Sequence, residues 1–140
     1  MEPVDSYFRC IRVQEFFPDF YRRLLESDAV IPPLSVGVDR ERQYSLLRSG
    51  IVMLLLHAGG NAAAASALER IGRRHGPRGL GLDPGVHQRW MGALLDTVRA
   101  CDPHCTADVE VAWRDAVGGG LAVMAGASVV SAAESSGRTP

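Results

Sequence analysis

No stretch of the chain alternates apolar and polar residues in the two-residue rhythm of a half-buried strand. Apolar residues recur instead at spacings of three and four, in blocks separated by glycine and proline, and this pattern restricts the fold to packed helices. Residues 5–17 make the first block, with Asp5 as the expected N-cap and Phe8, Ile11, Val13 and Phe16 as apolar positions. Pro18 suits the first turn of a second helix, over 18–27, that gathers Phe20, Tyr21, Leu24 and Leu25 on one face. Pro32 and Pro33 then forbid a long helix. Asp39 is the expected cap of a long, largely buried helix that reaches residue 58 and is broken by Gly59, Gly60 and Asn61.

The run "AAAASALERIGRRH" reads as another helix, ended by Gly76 with Pro77 behind it. Asp83 is the expected cap of the next, with Pro84 at its first position. "CDPHC" interrupts, and Thr106 caps a last helix expected to run to about Val130. Gly118, Gly119 and Gly120 fall inside that helix, where glycine costs stability, so close packing against a neighbour is the expected reason for them. The expectation is an all-α domain over residues 1–130 with six or seven helices and no internal repeat. Residues 131–140 lack apolar content, which predicts a disordered tail.

With 46% apolar residues in a chain of 140, one core can form without staples. A net charge of −1 gives no electrostatic footprint for nucleic acid or an anionic membrane. The longest apolar stretch, "GIVMLLLHAGG", is too short to span a bilayer. Three cysteines, Cys10, Cys101 and Cys105, and no export signal in "MEPVDSYFRC" read as reduced thiols in a cytoplasmic protein. No GxGxxG motif is present for a nucleotide or flavin.

His75 shares a helical face with Leu68 and Ile71, at spacings of seven and four. A histidine so placed, beside a glycine exit, can ligate a metal through its neutral imidazole. It can equally complement the helix C-terminal dipole together with Arg73 and Arg74. Spacing leaves both readings open. Cys101, His104 and Cys105 have a loosely metal-like spacing, but Pro103 lies between them and a fourth ligand is missing, so a helix-capping turn is the expected reading. His57 reads as a helix-end residue, and Trp90 and Trp113 as core.

"FFPDFYRRLLESDAVIPPL", "RERQYSLL", "LERIGRRH" and "AWRDAV", in this order over nearly the whole chain, resemble a bacterial single-domain globin. The resemblance implies a globin fold around haem b, with His75 as the proximal iron ligand. It sets Tyr21 at the pocket tyrosine of the second helix and Gln43 at the distal position of the long helix, with Leu47 one turn later. A tyrosine hydroxyl and an amide NH₂ both donate hydrogen bonds to bound dioxygen, which carries partial negative charge. Pocket walls are then expected at Leu34, Leu47, Leu68, Ile71, Leu82 and Met124.

Two departures stand out. The family's corner phenylalanine, whose ring packs flat on the porphyrin, falls at Ser35, which forfeits roughly 1.5–3 kcal/mol of apolar burial and leaves a hydroxyl in need of a partner. His87 stands where many relatives carry a tyrosine near the proximal ligand; it either hydrogen-bonds in that pocket or lies exposed on the first turn of its helix. The acidic partner that some relatives place in the final helix is replaced by Ala127 and Ser128. The implied function is reversible binding of dioxygen or another diatomic gas, for carriage or sensing, by a monomer or homodimer. Nitric oxide oxygenation would need a separate reductase. The alternative is a haem-free globin-fold regulatory or interaction module, favoured by Ser35 and opposed by the joint presence of His75, Tyr21 and Gln43.

Overall fold

A computed structural model describes residues 2–27, 39–74 and 84–137. Six helices lie among them: α1 (Glu2–Cys10), α2 (Phe16–Glu26), α3 (Arg40–Ala58), α4 (Ala62–Arg74), α5 (Pro84–Cys101) and α6 (Ala107–Gly137). No strand occurs among the described residues. None of their helices is long and apolar enough to cross a membrane.

The N-terminal expectation needs correction. The first helix starts at Glu2, so Asp5 lies inside it rather than capping it, and the helix stops at Cys10. Its buried face is Pro3, Ser6, Tyr7 and Cys10, while Phe8 and Ile11, expected as apolar positions of the core face, are 56% and 40% exposed. The cause is polar. Ser6 Oγ donates to Asp102 Oδ2 at 2.6 Å and accepts from the indole N–H of Trp113 at 2.9 Å. Arg9 Nε donates to Asp102 Oδ1 at 2.6 Å, and the His104 backbone N–H donates to the same oxygen at 2.9 Å. These bonds rotate α1 so that its serine, not its phenylalanine, faces inward.

The second helix begins two residues before Pro18, which still sits in its first turn, where the missing N–H is not required. Phe16, Phe17, Phe20, Tyr21 and Leu24 form its buried face. Phe16 and Phe20 are fully buried, each removing from water a side chain worth roughly 1.5–3 kcal/mol. Asp39 caps α3 as expected, accepting from the Glu41 N–H at 3.0 Å. Only the second half of α3 is buried, at Ile51, Leu54 and Leu55, and Leu46 is 56% exposed. Apolar residues spread round this helix cannot all reach neighbours on one side of it.

Gly60, at φ 89°, turns the chain in the left-handed region, and the Asn61 side chain accepts from the Ala64 N–H at 2.9 Å to start α4. Pro84 opens α5 as expected; its expected cap, Asp83, lies outside the described residues. Thr106 caps α6 through its hydroxyl, which accepts from the Val109 N–H at 3.3 Å. The last helix continues to Gly137, past the expected end near Val130. Ala132, Ala133 and Glu134 are good helix formers, and no proline intervenes.

The centre of the fold is α6, which packs against α1, α3, α4 and α5. Trp113 and Val117 on α6 are fully buried, as are Leu94 and Val98 on α5. Gly120 explains its part of the glycine run: a Cβ there would collide with Leu54 Cδ2 of α3 and lie 3.2 Å from Leu68 Cδ1 of α4. Two leucines from different helices thus converge on one glycine, as the sequence expectation of close packing requires.

Candidate functional site

The turn at Gly59–Asn61 folds α3 and α4 into a helical hairpin backed by α6. Leu54 and Leu68, equidistant in sequence from Asn61, meet over Gly120 and close the space between the two arms near the turn. Beyond them, Leu47 on α3 and Ile71 on α4 are half-buried. Met124, half-buried on α6, lies with its main chain against Gly72 of α4. Leu68 is almost fully buried. These four apolar residues therefore belong to three helices that pack on one another.

Tyr21 enters from α2. It is buried, and its ring meets Tyr44 of α3 edge-on, with centroids 6.0 Å apart and planes at 80°. The residue beside Tyr44 is Gln43, half-buried in the first turn of α3. The cap at Asp39 starts this turn through a local hydrogen bond to the Glu41 N–H. Tyr21 and Tyr44 also line a surface hollow of about 660 Å³ between α2 and α3, which Arg22 and Arg40 border. The Tyr44 contact is not visible as a pattern in sequence, since it joins residues on separate helices.

His87 is half-buried in the first turn of α5. Trp113 is core, as expected, and Trp90 is half-buried with its ring edge-on to Phe20 at 5.2 Å. His57 lies in the last turn of α3, and its Nδ1 is buried without a hydrogen-bond partner. His75, Leu34, Ser35 and Leu82 lie outside the described residues.

The cysteine–histidine corner follows the capping reading. Cys101 is buried, His104 exposed and Cys105 half-buried. No group of three or more His, Cys, Asp or Glu side chains able to hold a metal occurs among the described residues. Burial pushes the Cys10 thiol up to about 12, helped by the negative charge of Asp102, and burial also raises Cys101 and Cys105. Burial works against the Asp102 carboxylate, but the hydrogen bonds from Arg9, Ser6 and the His104 N–H outweigh it and hold the group at about 2. Sequence reasoning missed this carboxylate because its partners are 93 and 96 residues away.

A similar fold occurs in a protein of Pseudomonas aeruginosa whose crystal structure is described as structurally highly homologous to a human hemoglobin. The match has a TM-score of 0.83 and 36% sequence identity, over 90% of this chain and 95% of that one. The chain belongs to the globin-like proteins. No protein-family model matches this globin-like sequence, and no curated protein does.

Proposed function

We propose that this globin-like protein binds haem b through His75 and holds a diatomic gas, dioxygen foremost, on the side of Tyr21 and Gln43. The observation that carries the reading is the α3–α4 hairpin. Leu54 and Leu68 close its arms over Gly120; seven residues before Leu54 is Leu47 on α3, and seven residues after Leu68 the sequence reads His75.

The residues fit the group. Leu47, Ile71 and Met124 are apolar and only half-buried, which suits side chains that press on a flat apolar ring. Tyr21 and Gln43 supply an O–H and an N–H donor from neighbouring helices. His75 supplies an imidazole nitrogen, a ligand type suited to iron. When bound, the haem supplies the iron that takes the gas; the chain supplies the axial ligand, an apolar surround that keeps out water, and donors for the partial negative charge on dioxygen.

Carriage and sensing both need only this reversible binding. Oxygenation of nitric oxide would draw its electrons from a separate reductase. Reconstitution with haem followed by absorption spectroscopy tests the reading. A Soret band that is present in the wild type and abolished by His75→Ala is the expected result. A band unchanged in His75→Ala removes His75 as the ligand and returns it to the role of a cationic helix end.

A further inference from the structure

Phe20 and Tyr21 are neighbours on α2, yet their rings meet different helices. Phe20 is edge-on to Trp90 of α5, with centroids 5.2 Å apart and planes at 69°. Tyr21 is edge-on to Tyr44 of α3, at 6.0 Å and 80°, its one ring contact among the described residues. Adjacent residues of a helix project about 100° apart. The two contacts together therefore fix the roll of α2 between α5 and α3, both of which it packs against. Tyr21 is buried, whereas Tyr44 is half-buried and packs against the core.

The oxygen of a tyrosine lies on the line through Cβ, Cγ and Cζ. Turning the ring about that line leaves the oxygen in place, so only the roll of the helix and the torsion about Cα–Cβ move it. On a helix an aromatic side chain has two common settings of that torsion, near 180° and near −60°. We infer that Tyr44 is a positioning residue for the Tyr21 hydroxyl. Its ring, packed against Tyr21, holds one setting and so fixes the point from which the O–H donates to a bound gas. The inference rests on the reading of Tyr21 as a dioxygen donor and adds a residue that acts through Tyr21. The edge-on contact needs only the ring of Tyr44, not its hydroxyl.

The test uses the full chain reconstituted with haem. The readouts are stopped-flow release of dioxygen and of carbon monoxide, with far-ultraviolet circular dichroism as the check on folding. Tyr44→Leu removes the ring and keeps a good helix former; Tyr44→Phe keeps the ring. Positioning cannot be worth more than the bond it positions, so Tyr44→Leu should speed dioxygen release by about two- to fivefold. Carbon monoxide should change less, and Tyr44→Phe should behave as the wild type. With Tyr21→Phe as the starting protein there is no hydroxyl to position, and Tyr44→Leu should add less than about 1.5-fold. A ring that served packing alone would move both gases alike and add in full to Tyr21→Phe. Tyr44 borders the hollow between α2 and α3, which leaves room for other side chains. Should Tyr44→Leu lose its helical signal, Tyr44→Met, whose flexible chain fills irregular gaps, takes its place with the same outcome expected. Unchanged dioxygen release, full additivity with Tyr21→Phe, or a Tyr44→Phe as fast as Tyr44→Leu overturns the inference alone. A Tyr21→Phe that releases dioxygen like the wild type overturns it together with the donor role of Tyr21. A wild type without a Soret band overturns it together with the haem reading.

Discussion

Arg9 and Asp102 join the first helix to the loop between α5 and α6 through two parallel hydrogen bonds, Nε to Oδ1 at 2.6 Å and Nη2 to Oδ2 at 3.0 Å. The Asp102 side chain is fully buried and that of Arg9 is 26% exposed. With Ser6 and the His104 N–H also donating, the carboxylate accepts from three residues at once. Because Trp113 donates to Ser6, the same network reaches α6 at its largest buried side chain. Three elements that share no local sequence are held in place by one carboxylate.

Removing that carboxylate leaves a partly buried guanidinium, a serine hydroxyl and the His104 N–H to find new partners. Asp102→Ala should therefore cost roughly 3 kcal/mol, within the range for breaking a buried pair. Urea unfolding should show the loss as a lower midpoint with the slope unchanged. A loss below about 0.5 kcal/mol would place the network among surface ion pairs of little weight.

Stability should also fall with acid at this site. The folded carboxyl titrates at about 2, below its ordinary 3.8, so its contribution is fully present above the ordinary value. It is lost as pH falls from about 4 through about 2, because the unfolded chain takes up the proton first. The stability gap between wild type and Asp102→Asn should be constant above about pH 5 and shrink below about pH 4. Denaturant titrations at several pH values check this, and a gap that widens in acid would reverse the sign assigned to the group.

The two glycine positions on α5 and α6 should respond in opposite directions to alanine. At Gly92 an added methyl meets open space, so the gain in helix propensity of about 0.8–1 kcal/mol is realised. At Gly120 the methyl strikes Leu54 and crowds Leu68. Overpacking of about 1–3 kcal/mol then outweighs the propensity gain. Thermal unfolding of the haem-free chain should show Gly92→Ala raised by a few degrees and Gly120→Ala lowered.

Caps, turns and the long helix were legible in the sequence because their causes are local. Asp39 needs only the N–H two residues on, Thr106 the N–H three residues on, and Gly60 only its own backbone angle. The first helix was not legible. Its orientation is set by Asp102 and Trp113 across most of the chain, and a serine on the inner face defeats a count of apolar residues. At the candidate site, the helices that carry Tyr21, Gln43, Leu47, Leu68, Ile71 and Met124 form and pack together. Tyr44 and Gly72 were missed, since each matters through a neighbour on another helix. The glycine that interrupts "LERIGRR" was the one local sign that α4 comes close to something.

Thiol chemistry offers a check on burial that is independent of any ligand. Cys10 is fully buried and its thiol is pushed up to about 12, so almost none of it is thiolate at neutral pH. Alkylation of Cys10 in the native chain should run on the order of a thousandfold slower than for a free cysteine. Cys101 is also buried, and Cys105, half-buried with its thiol raised as well, should be modified first. Mass spectrometry of chains sampled during alkylation gives the order, and unfolding in denaturant should make all three react alike. Rapid native labelling of Cys10 would mean that α1 opens from the core on the timescale of the reaction.

Tyr21 and Gln43 carry the remaining expectation, which concerns the gas. They sit on adjoining helices, Tyr21 buried with its ring against Tyr44, and Gln43 half-buried one residue before Tyr44 in α3. If each donates one hydrogen bond to dioxygen, each contributes about 1 kcal/mol to its retention. Tyr21→Phe and Gln43→Leu should then each speed dioxygen release by roughly fivefold. Carbon monoxide bears less charge on its outer atom, so its release should change less. Stopped-flow measurement of both gases separates electrostatics from shape, because a purely steric change alters the two rates together. The edge-on contact with Tyr44 sharpens the comparison: Tyr21→Phe keeps the ring and that contact and removes only the hydroxyl. A Tyr21→Phe protein that releases both gases like the wild type would show that the buried tyrosine serves packing between α2 and α3, and that the donor to dioxygen is elsewhere.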